Sequence, residues 1–159
     1  MGTSSSSIRI GVISDTHGLV RPAAKLALAG VDRILHAGDI CGRDVLDELG
    51  TVAPVTAVRG NNDHGPWTAS IQITEAVEIG GVMIYMLHDL AELDLDPQVA
   101  GFRMVVSGHS HRPLIQDKDG VLFVNPGSAG PRRFTLPISL AIVEINKGTI
   151  NARLHTLQP

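Results

Sequence analysis

Three apolar segments in the first 58 residues constrain the fold most strongly, because each of them ends in a polar turn. They are typical of strands and lie at residues 8–13, 32–36 and 54–58. Helices are predicted between them at residues 22–28 and 42–49. This alternation of strand and helix predicts parallel pairing through right-handed crossovers. The three strands should therefore end at one edge of a sheet.

The second half of the chain is rich in hairpin signals. Gly80-Gly81 and Asp119-Gly120 each separate two strand-like segments. Strands are predicted at residues 72–79, 82–87, 103–106, 113–116, 121–124, 138–145 and 149–155. A short helix, weakened by Pro97, is predicted over residues 90–100. Together the two halves predict an α/β fold of two packed mixed sheets with helices outside.

Composition limits the class of protein. The 159 residues are 43% hydrophobic, which suits one globular domain over residues 8–159 after a disordered leader over residues 1–7. The net charge of −3 gives no general attraction to nucleic acid or to an anionic membrane. No apolar run approaches the ~20 residues of a membrane span. Cys41 is the only cysteine, so no intrachain disulfide can form and a cytoplasmic location is expected.

Polar side chains follow the predicted strands directly, and their types suit metal ions. They are two carboxylates, one amide and four imidazoles: Asp15, His17, Asp39, Asn61, His88, His109 and His111. Seven such groups suit two ions that share a bridging ligand. The mixture fits Mn, Fe, Ni, Co or Zn better than Ca or Mg. The absence of cysteine ligands argues against a closed structural zinc site.

Single members of this set also have simpler interpretations. Asp15 and Asp39 could cap the helices that follow them, Asn61 could be a turn residue, and His88 could be a hydrogen-bonded core histidine. Burying so many ionisable groups at one sheet edge without a counterion is costly, however. The set as a whole therefore favours a metal centre.

The ordered blocks of the chain resemble the calcineurin-like metallophosphoesterase superfamily. The blocks are DTH (15–17), GD (38–39), GNND (60–63), His88, GHSH (108–111) and the NPGS loop (125–128). The short chain and the NPGS loop are similar to the small prokaryotic, YfcE-type phosphodiesterase branch. The resemblance spans residues 15 to 128, which is most of the chain.

The resemblance implies a four-layer α/β/β/α sandwich of two mixed β-sheets and a dimetal site at the strand ends. One ion would take Asp15, His17 and His111. The other would take Asn61, His88 and His109, with Asp39 bridging the two ions. Two divalent transition-metal ions, Mn²⁺ foremost, would let a bridging hydroxide attack the phosphorus of a small phosphodiester in line. Asp39, Asn61 and His109 would act in catalysis through these ions, and relatives suggest a homodimer or homotetramer.

The chain departs from the resemblance at Asn62, where many members of the superfamily carry a histidine that protonates the leaving group. An amide cannot be a general acid near neutral pH, so diesters with activated leaving groups should be preferred. His64 could substitute as the acid or could be an exposed loop residue. Asp89 follows His88 where the family often has glycine, and it could orient a histidine ligand or begin the next helix.

Further residues receive roles by their position near these blocks. Substrate contacts are predicted at Asn62, Asn125, Ser128 and Arg132, although Arg132 and Arg133 could equally be a solvated surface pair. His36 is expected to support a ligand loop, and Cys41 is expected to be a small buried apolar residue. Two other functions stay open: a catalytically silent Vps29-like scaffold for protein binding, and a phosphomonoesterase or nucleotide hydrolase that uses the same site.

Overall fold

The structure is a computed structural model that describes residues 7–158, where ten strands form two sheets. In chain order the elements are β1 (Ile8–Ile13), α1 (Pro22–Ala27), β2 (Arg33–His36), α2 (Arg43–Gly50), β3 (Val55–Ala57), a 3-10 helix (Pro66–Thr68), β4 (Thr74–Ile79), β5 (Val82–Leu87), a 3-10 helix (Leu90–Glu92), β6 (Met104–Val106), β7 (Leu114–Lys118), β8 (Val121–Asn125), β9 (Ser139–Asn146) and β10 (Thr149–Thr156). The predicted leader, residues 1–7, lies outside the described residues except for Ser7. Neither α-helix of residues 7–158 is long and apolar enough to cross a membrane.

The first sheet has the strand order β10-β9-β1-β2-β3. Strands β1, β2 and β3 pair in parallel, as the alternation of strand and helix predicts. The last hairpin returns to this sheet, because β9 pairs antiparallel with β1 and β10 pairs antiparallel with β9. The three parallel strands therefore end at one edge, and their loops meet there.

The second sheet has the order β4-β5-β6-β8-β7. Its centre is parallel, since β5 pairs with β6 and β6 pairs with β8 in the same direction. Hairpin partners close both sides, with β4 antiparallel to β5 and β7 antiparallel to β8. This sheet also delivers several strand ends to one edge.

The main core lies between the two sheets. It joins Ile10, Val12 and Leu35 of the first sheet to residues such as Ile84 and Met104 of the second, all fully buried. On the outer face of the first sheet, a second core holds the apolar sides of α1 and α2 against β1, β2 and β9. The predicted α/β sandwich of two mixed sheets is confirmed.

The layer over the second sheet is not the helix predicted for residues 90–100. It is one 3-10 turn at Leu90–Glu92 followed by irregular chain. The Asp96 carboxylate accepts hydrogen bonds from the main-chain N–H groups of Gln98 and Val99 (3.1 and 3.3 Å), which begins a separate turn just before Pro97. Such local side-chain bonds compete with helix propagation. The helix prediction is therefore wrong.

Candidate metal centre

Sharp backbone turns place most of the predicted ligands. Five of them have φ between 45° and 70°: Asp15, His17, Asp39, His109 and His111. Residues other than glycine rarely adopt this left-handed region, and such residues cluster at functional sites. The turns bend each loop back over the strand ends, where the ligands of different strands meet.

Two glycines allow the loops to touch. A Cβ at Gly108 would lie 2.7 Å from Asp15 Oδ2 and would also clash with the Ser14 hydroxyl. A Cβ at Gly60 would clash with the main chain and carboxylate of Asp39. The glycines of the GHSH and GNND blocks are therefore required, because their backbones lie too close to the two buried carboxylates for a side chain to fit.

Asp15 lies at the centre of the cluster and is completely buried. Its Oδ2 accepts hydrogen bonds from the Ser14 hydroxyl (2.7 Å) and from His109 N (3.1 Å). Its Oδ1 has no hydrogen-bond partner within residues 7–158. That oxygen lies near the Nε2 atoms of three histidines: His111 (3.3 Å), His17 (3.9 Å) and His88 (3.9 Å).

Asp39 lies beside Asp15 and accepts two hydrogen bonds from one residue. Asn62 donates its main-chain N–H to Asp39 Oδ1 and its side-chain N–H to Oδ2, both at 2.9 Å. Asp39 Oδ2 lies 3.5 Å from His88 Nε2 and 3.7 Å from His17 Nε2. Asp39 is therefore between the two histidines, where a bridging ligand is predicted.

The histidine rings present unpartnered nitrogen atoms to these carboxylates. His88 Nδ1–H donates to the Ala37 carbonyl (2.7 Å), so Nε2 is the ring nitrogen that is left to face the cluster. Four buried atoms of this cluster have no hydrogen-bond partner among the described residues: Asp15 Oδ1, His17 Nε2, His88 Nε2 and His111 Nδ1. Buried polar groups are normally paired. Divalent cations fit this donor set, because carboxylate oxygens and imidazole nitrogens are their usual ligands.

The potential ligand atoms form two groups, and within each group all atoms lie within 4.8 Å of one another. One is Asp15, His17 and His111, and the other is Asp15, Asp39 and His88. The remaining two predicted ligands, His109 and Asn61, form the exposed side of the site, and His109 Nδ1 lies 3.2 Å from Asn61 Oδ1. The ring centroids of His109 and His88 are 5.1 Å apart, so the structure brings all seven predicted ligands to one end of the two sheets.

The electrostatics of the cluster favour charged carboxylates. Burial raises the pKa of Asp39, but the His88 ring and the two N–H groups of Asn62 hold that pKa well below its usual range. Burial also opposes ionisation of Asp15, yet His111 and the Ser14 hydroxyl lower its pKa. The pKa of His88 is raised, since its contacts with Asp39 and Ala37 outweigh burial. Two buried negative charges facing imidazoles suit a cation.

His36 forms hydrogen bonds that support the loops of Asp15 and Asp39. It is completely buried, and burial lowers its pKa to about 4, so the ring is neutral at pH 7. Its Nδ1 accepts from Gly38 N (3.1 Å), and its Nε2–H donates to the Thr16 hydroxyl (3.0 Å), which donates to Ile40 O (3.2 Å). These bonds tie the loop of Asp15 to the loop of Asp39.

Asp63 has a similar supporting role that sequence reasoning missed. The buried carboxylate accepts from Cys41 N and from Gly60 N, both at 2.8 Å, and so joins the loops after β2 and β3. Its position as the last residue of the GNND block is the one sequence signal that could have marked it.

The structure gives Asn125 and Ser128 contacts that differ from the predicted substrate contacts. Both are buried. The Asn125 amide donates to Gly108 O (3.0 Å) and to the Ser110 hydroxyl (3.1 Å), while the Ser128 hydroxyl donates to Asp15 O (3.0 Å). These bonds hold the ligand loops from behind, which favours a positioning role for both residues.

Other predicted residues lie at the surface. His64, Arg132 and Arg133 are exposed. Asp89 caps the 3-10 turn, because its Oδ1 accepts from Ala91 N (3.0 Å), while its Oδ2 lies 3.8 Å from His109 Nε2, beyond hydrogen-bond distance. The prediction that Cys41 is buried is wrong, because its thiol is exposed and lies 3.7 Å from His17 Nδ1.

The helix-capping interpretation of the two carboxylates is also excluded. Neither α1 nor α2 has a side-chain hydrogen bond at its first turn. Asp15 and Asp39 instead direct their oxygens into the cluster of histidines.

Several known proteins are similar to this chain. A probable metallophosphoesterase of Methanothermobacter thermautotrophicus is 34% identical over 156 residues, covering 91% of this chain and 90% of that protein. A phosphodiesterase of Methanocaldococcus jannaschii is 27% identical over 139 residues, covering 76% of this chain and 83% of that protein.

Solved structures share the fold. A structure of an archaeal phosphodiesterase matches with a TM-score of 0.78 at 24% identity, covering 94% of this chain and all of that chain. Vacuolar protein sorting 29 of Cryptosporidium parvum matches with a TM-score of 0.76 at 19% identity, covering 96% of this chain and 99% of that chain.

The family model is decisive because it spans nearly all of the chain. The model described as the calcineurin-like phosphoesterase superfamily domain matches residues 8–148, which contain every predicted ligand. The chain therefore belongs to the calcineurin-like phosphoesterase superfamily.

Proposed function

We propose that this protein is a metal-dependent phosphodiesterase with two divalent ions at the candidate metal centre. The observation that carries the proposal is the set of four buried, unpartnered polar atoms on the predicted ligands Asp15, His17, His88 and His111. A buried cluster of this kind is costly without a cation. The similarity to a phosphodiesterase of Methanocaldococcus jannaschii supports the choice of a diester.

Each ion would have its own ligands. Asp15, His17 and His111 would hold one, since their ligand atoms already lie together. Asn61, His88 and His109 would hold the other, and Asp39 would join the two, because its Oδ2 is within 3.7 Å of both His17 and His88. Divalent transition-metal ions, Mn²⁺ foremost, would activate water and neutralise the charge of the phosphate when bound.

The thiol near the site is a poor nucleophile. Although Cys41 is exposed, partial desolvation and the nearby carboxylates of Asp63 and Asp39 raise its pKa to about 11. The thiol is therefore protonated at pH 7 and is a poor nucleophile. Attack by water, rather than by a side chain, is what the arrangement supports.

Asn62 determines the proposed substrate preference. Its amide donates to Asp39, so it orients the bridging carboxylate and cannot protonate a leaving group. A general acid contributes about 10²–10⁴-fold in rate. Its absence from this position supports a preference for diesters with activated, aryl-type leaving groups over alkyl monoesters.

The proposal is tested by comparing bis-p-nitrophenyl phosphate with p-nitrophenyl phosphate on metal-stripped protein before and after Mn²⁺ is restored. We expect Mn²⁺-dependent cleavage of the diester, little cleavage of the monoester, and loss of activity in Asp39→Asn. Asp47→Asn is the matched control, because Asp47 is an exposed residue of α2 with one surface ion pair.

Two other outcomes would overturn the proposal. Faster cleavage of the monoester would favour a phosphomonoesterase or nucleotide hydrolase. Absence of turnover with metal bound would favour a Vps29-like scaffold, whose fold the chain shares. The cytoplasmic location and a homodimeric or homotetrameric assembly stay predictions.

His64→Ala tests the substitute acid separately. His64 is exposed, and we expect the variant to retain turnover within about twofold. A loss of tenfold or more, confined to poor leaving groups, would assign the acid to His64.

A further inference from the structure

An apolar cavity of about 510 Å³ opens beside His109. Its walls include Leu90, Pro113, Leu114 and Phe123. Leu90 and Leu114 leave 38% and 47% of their surface exposed, so two large apolar side chains face the opening instead of the core. A volume of this size is in the range of small-molecule sites, which are mostly apolar with a few polar groups.

A second cavity, of about 470 Å³, also has His109 in its lining and has a different chemistry. Arg59, Glu92 and Asp94 line it together with the predicted ligands Asn61 and His88. The Arg59 Nε atom is buried without a hydrogen-bond partner among residues 7–158. Ile73, Tyr85 and Leu87 also line it, so this cavity is mixed, but its charged side chains make it more polar than the first cavity, and we call it the polar cavity.

His109 and Asp89 line both cavities, so the two cavities adjoin at these residues. A phosphate at the candidate metal centre would lie next to His109 and would therefore adjoin both cavities. A phosphodiester has two ester arms that leave its phosphorus in different directions. The two cavities can therefore receive the two arms of one substrate.

We infer that the apolar cavity binds one apolar alcohol arm of the phosphodiester and that the polar cavity binds a polar second arm. The inference rests on the proposed function and specifies its substrate class. The protein would then select unsymmetrical diesters with one apolar and one polar arm. Leu90 and Leu114 would determine this specificity.

The expected size of the effect follows from hydrophobic transfer. Burial of each methylene group in an apolar site strengthens binding by up to about fourfold. Extending one arm from methyl to butyl should therefore strengthen binding by at least about tenfold. Extending the second arm as well should add little, because it enters the polar cavity.

Three dialkyl phosphates test this, since their alkyl leaving groups make them poor substrates and useful inhibitors. Dimethyl, butyl methyl and dibutyl phosphate are compared as competitive inhibitors of bis-p-nitrophenyl phosphate cleavage by the Mn²⁺-loaded protein, and their direct binding is measured by calorimetry. We expect butyl methyl phosphate to bind at least about tenfold more tightly than dimethyl phosphate, and dibutyl phosphate to bind within about threefold of butyl methyl phosphate. Equal binding of all three would overturn the inference, and so would a second tenfold gain with dibutyl phosphate.

Matched variants test whether the tighter binding of the butyl arm comes from the apolar cavity. Leu114→Asn and Leu90→Asn should each reduce the gain from the butyl arm to threefold or less, while dimethyl phosphate binds as before. Leu154→Asn is the control, because Leu154 is 40% exposed on β10 and lines neither cavity. A full butyl gain in both cavity variants, with unchanged melting temperatures, would contradict the inference.

The test separates failure of this inference from failure of the proposed function. If the chromogenic diester is not cleaved, the proposed function fails, and calorimetry still decides whether the apolar arm is bound. If the diester is cleaved and arm length has no effect, the proposed function stands and the apolar-arm assignment fails.

Discussion

Gly108 shows how one residue permits the site to form. A side chain at this position would meet the Ser14 hydroxyl and Asp15 Oδ2 in a completely buried place. We expect Gly108→Ala to lower the free energy of unfolding by about 1–3 kcal/mol and to weaken Mn²⁺ binding by more than tenfold. Urea unfolding and calorimetry measure the two effects.

Gly50→Ala is the matched control for Gly108→Ala. Gly50 is the last residue of α2, and a Cβ there would meet nothing within 4 Å. Alanine in a helix is favoured over glycine, so this variant should be as stable as the parent or more stable by up to about 1 kcal/mol. Equal metal affinity in the two variants would contradict the role given to Gly108.

His36 gives a prediction about pH. Its pKa falls from 6.5 in the unfolded chain to about 4 in the folded protein, because burial disfavours the charged ring. The unfolded chain therefore binds a proton first as pH falls below 6.5, and folding stability is lost between pH 6.5 and pH 4. Urea unfolding of metal-stripped protein should show about 2 kcal/mol lost through this residue between pH 7 and pH 5.

His36→Gln isolates that contribution, because glutamine can donate to Thr16 without titrating. His88 acts in the opposite direction: its raised pKa gives stability that is complete below pH 6.5 and is lost as pH rises through the folded value. The difference between parent and variant removes the His88 effect. Identical pH dependence in the two proteins would show that His36 is not the source.

The residues that the structure brings together at the site were easier to predict from the sequence than the residues that support them. Asp15, His109 and His111 could be proposed because each lies directly after a strand and has a metal-binding side chain. Asp63 and Asn125 could not be assigned their roles, because their bonds to Cys41 N and Gly108 O join loops that are distant along the chain. Only the folded arrangement shows which backbone groups they reach.

At the scale of elements, the segment of residues 90–102 acts as a cover although it is not a helix. Phe102 packs edge-on against Tyr85, with ring centroids 5.1 Å apart, on the outer face of the second sheet. We expect Phe102→Ala to lower the free energy of unfolding by about 2 kcal/mol, less than for a fully buried phenylalanine, because Phe102 is only partly buried. Urea unfolding measures the change.

Phe134→Ala is the matched control for Phe102→Ala. Phe134 is 86% exposed, so its truncation should change stability by less than about 0.5 kcal/mol. Equal effects of the two substitutions would show that the segment does not stabilise the sheet.

Elements with a clear hydrophobic pattern were predicted almost to the residue. Strands β1 and β5 have the predicted bounds, because apolar runs between turn signals mark buried strands. The 90–100 segment failed because aspartates at 89 and 96 bond locally and interrupt the helix. The return of β9 and β10 to the first sheet depends on the pairing of β9 with β1. The paired residues are more than 120 positions apart along the chain, and no local sequence pattern indicates such a contact.

At the scale of the whole molecule, two sheets each contribute parallel strand ends to a single site. β1, β2 and β3 deliver Asp15, His17, Asp39 and Asn61, while β5 and β6 deliver His88, His109 and His111. Parallel strands commonly place binding sites beyond their carboxyl ends. The candidate metal centre therefore depends on the packing of the two sheets and not on either sheet alone.

The central claim is that this joint site holds two ions that both serve diester cleavage. The most direct measurement is a calorimetric titration of metal-stripped protein with Mn²⁺, with bis-p-nitrophenyl phosphate cleavage measured in the same samples. We predict two ions bound per chain, activity that is complete only when both are bound, and a loss of one ion in His111→Asn. Full activity with one ion or with none would contradict the claim.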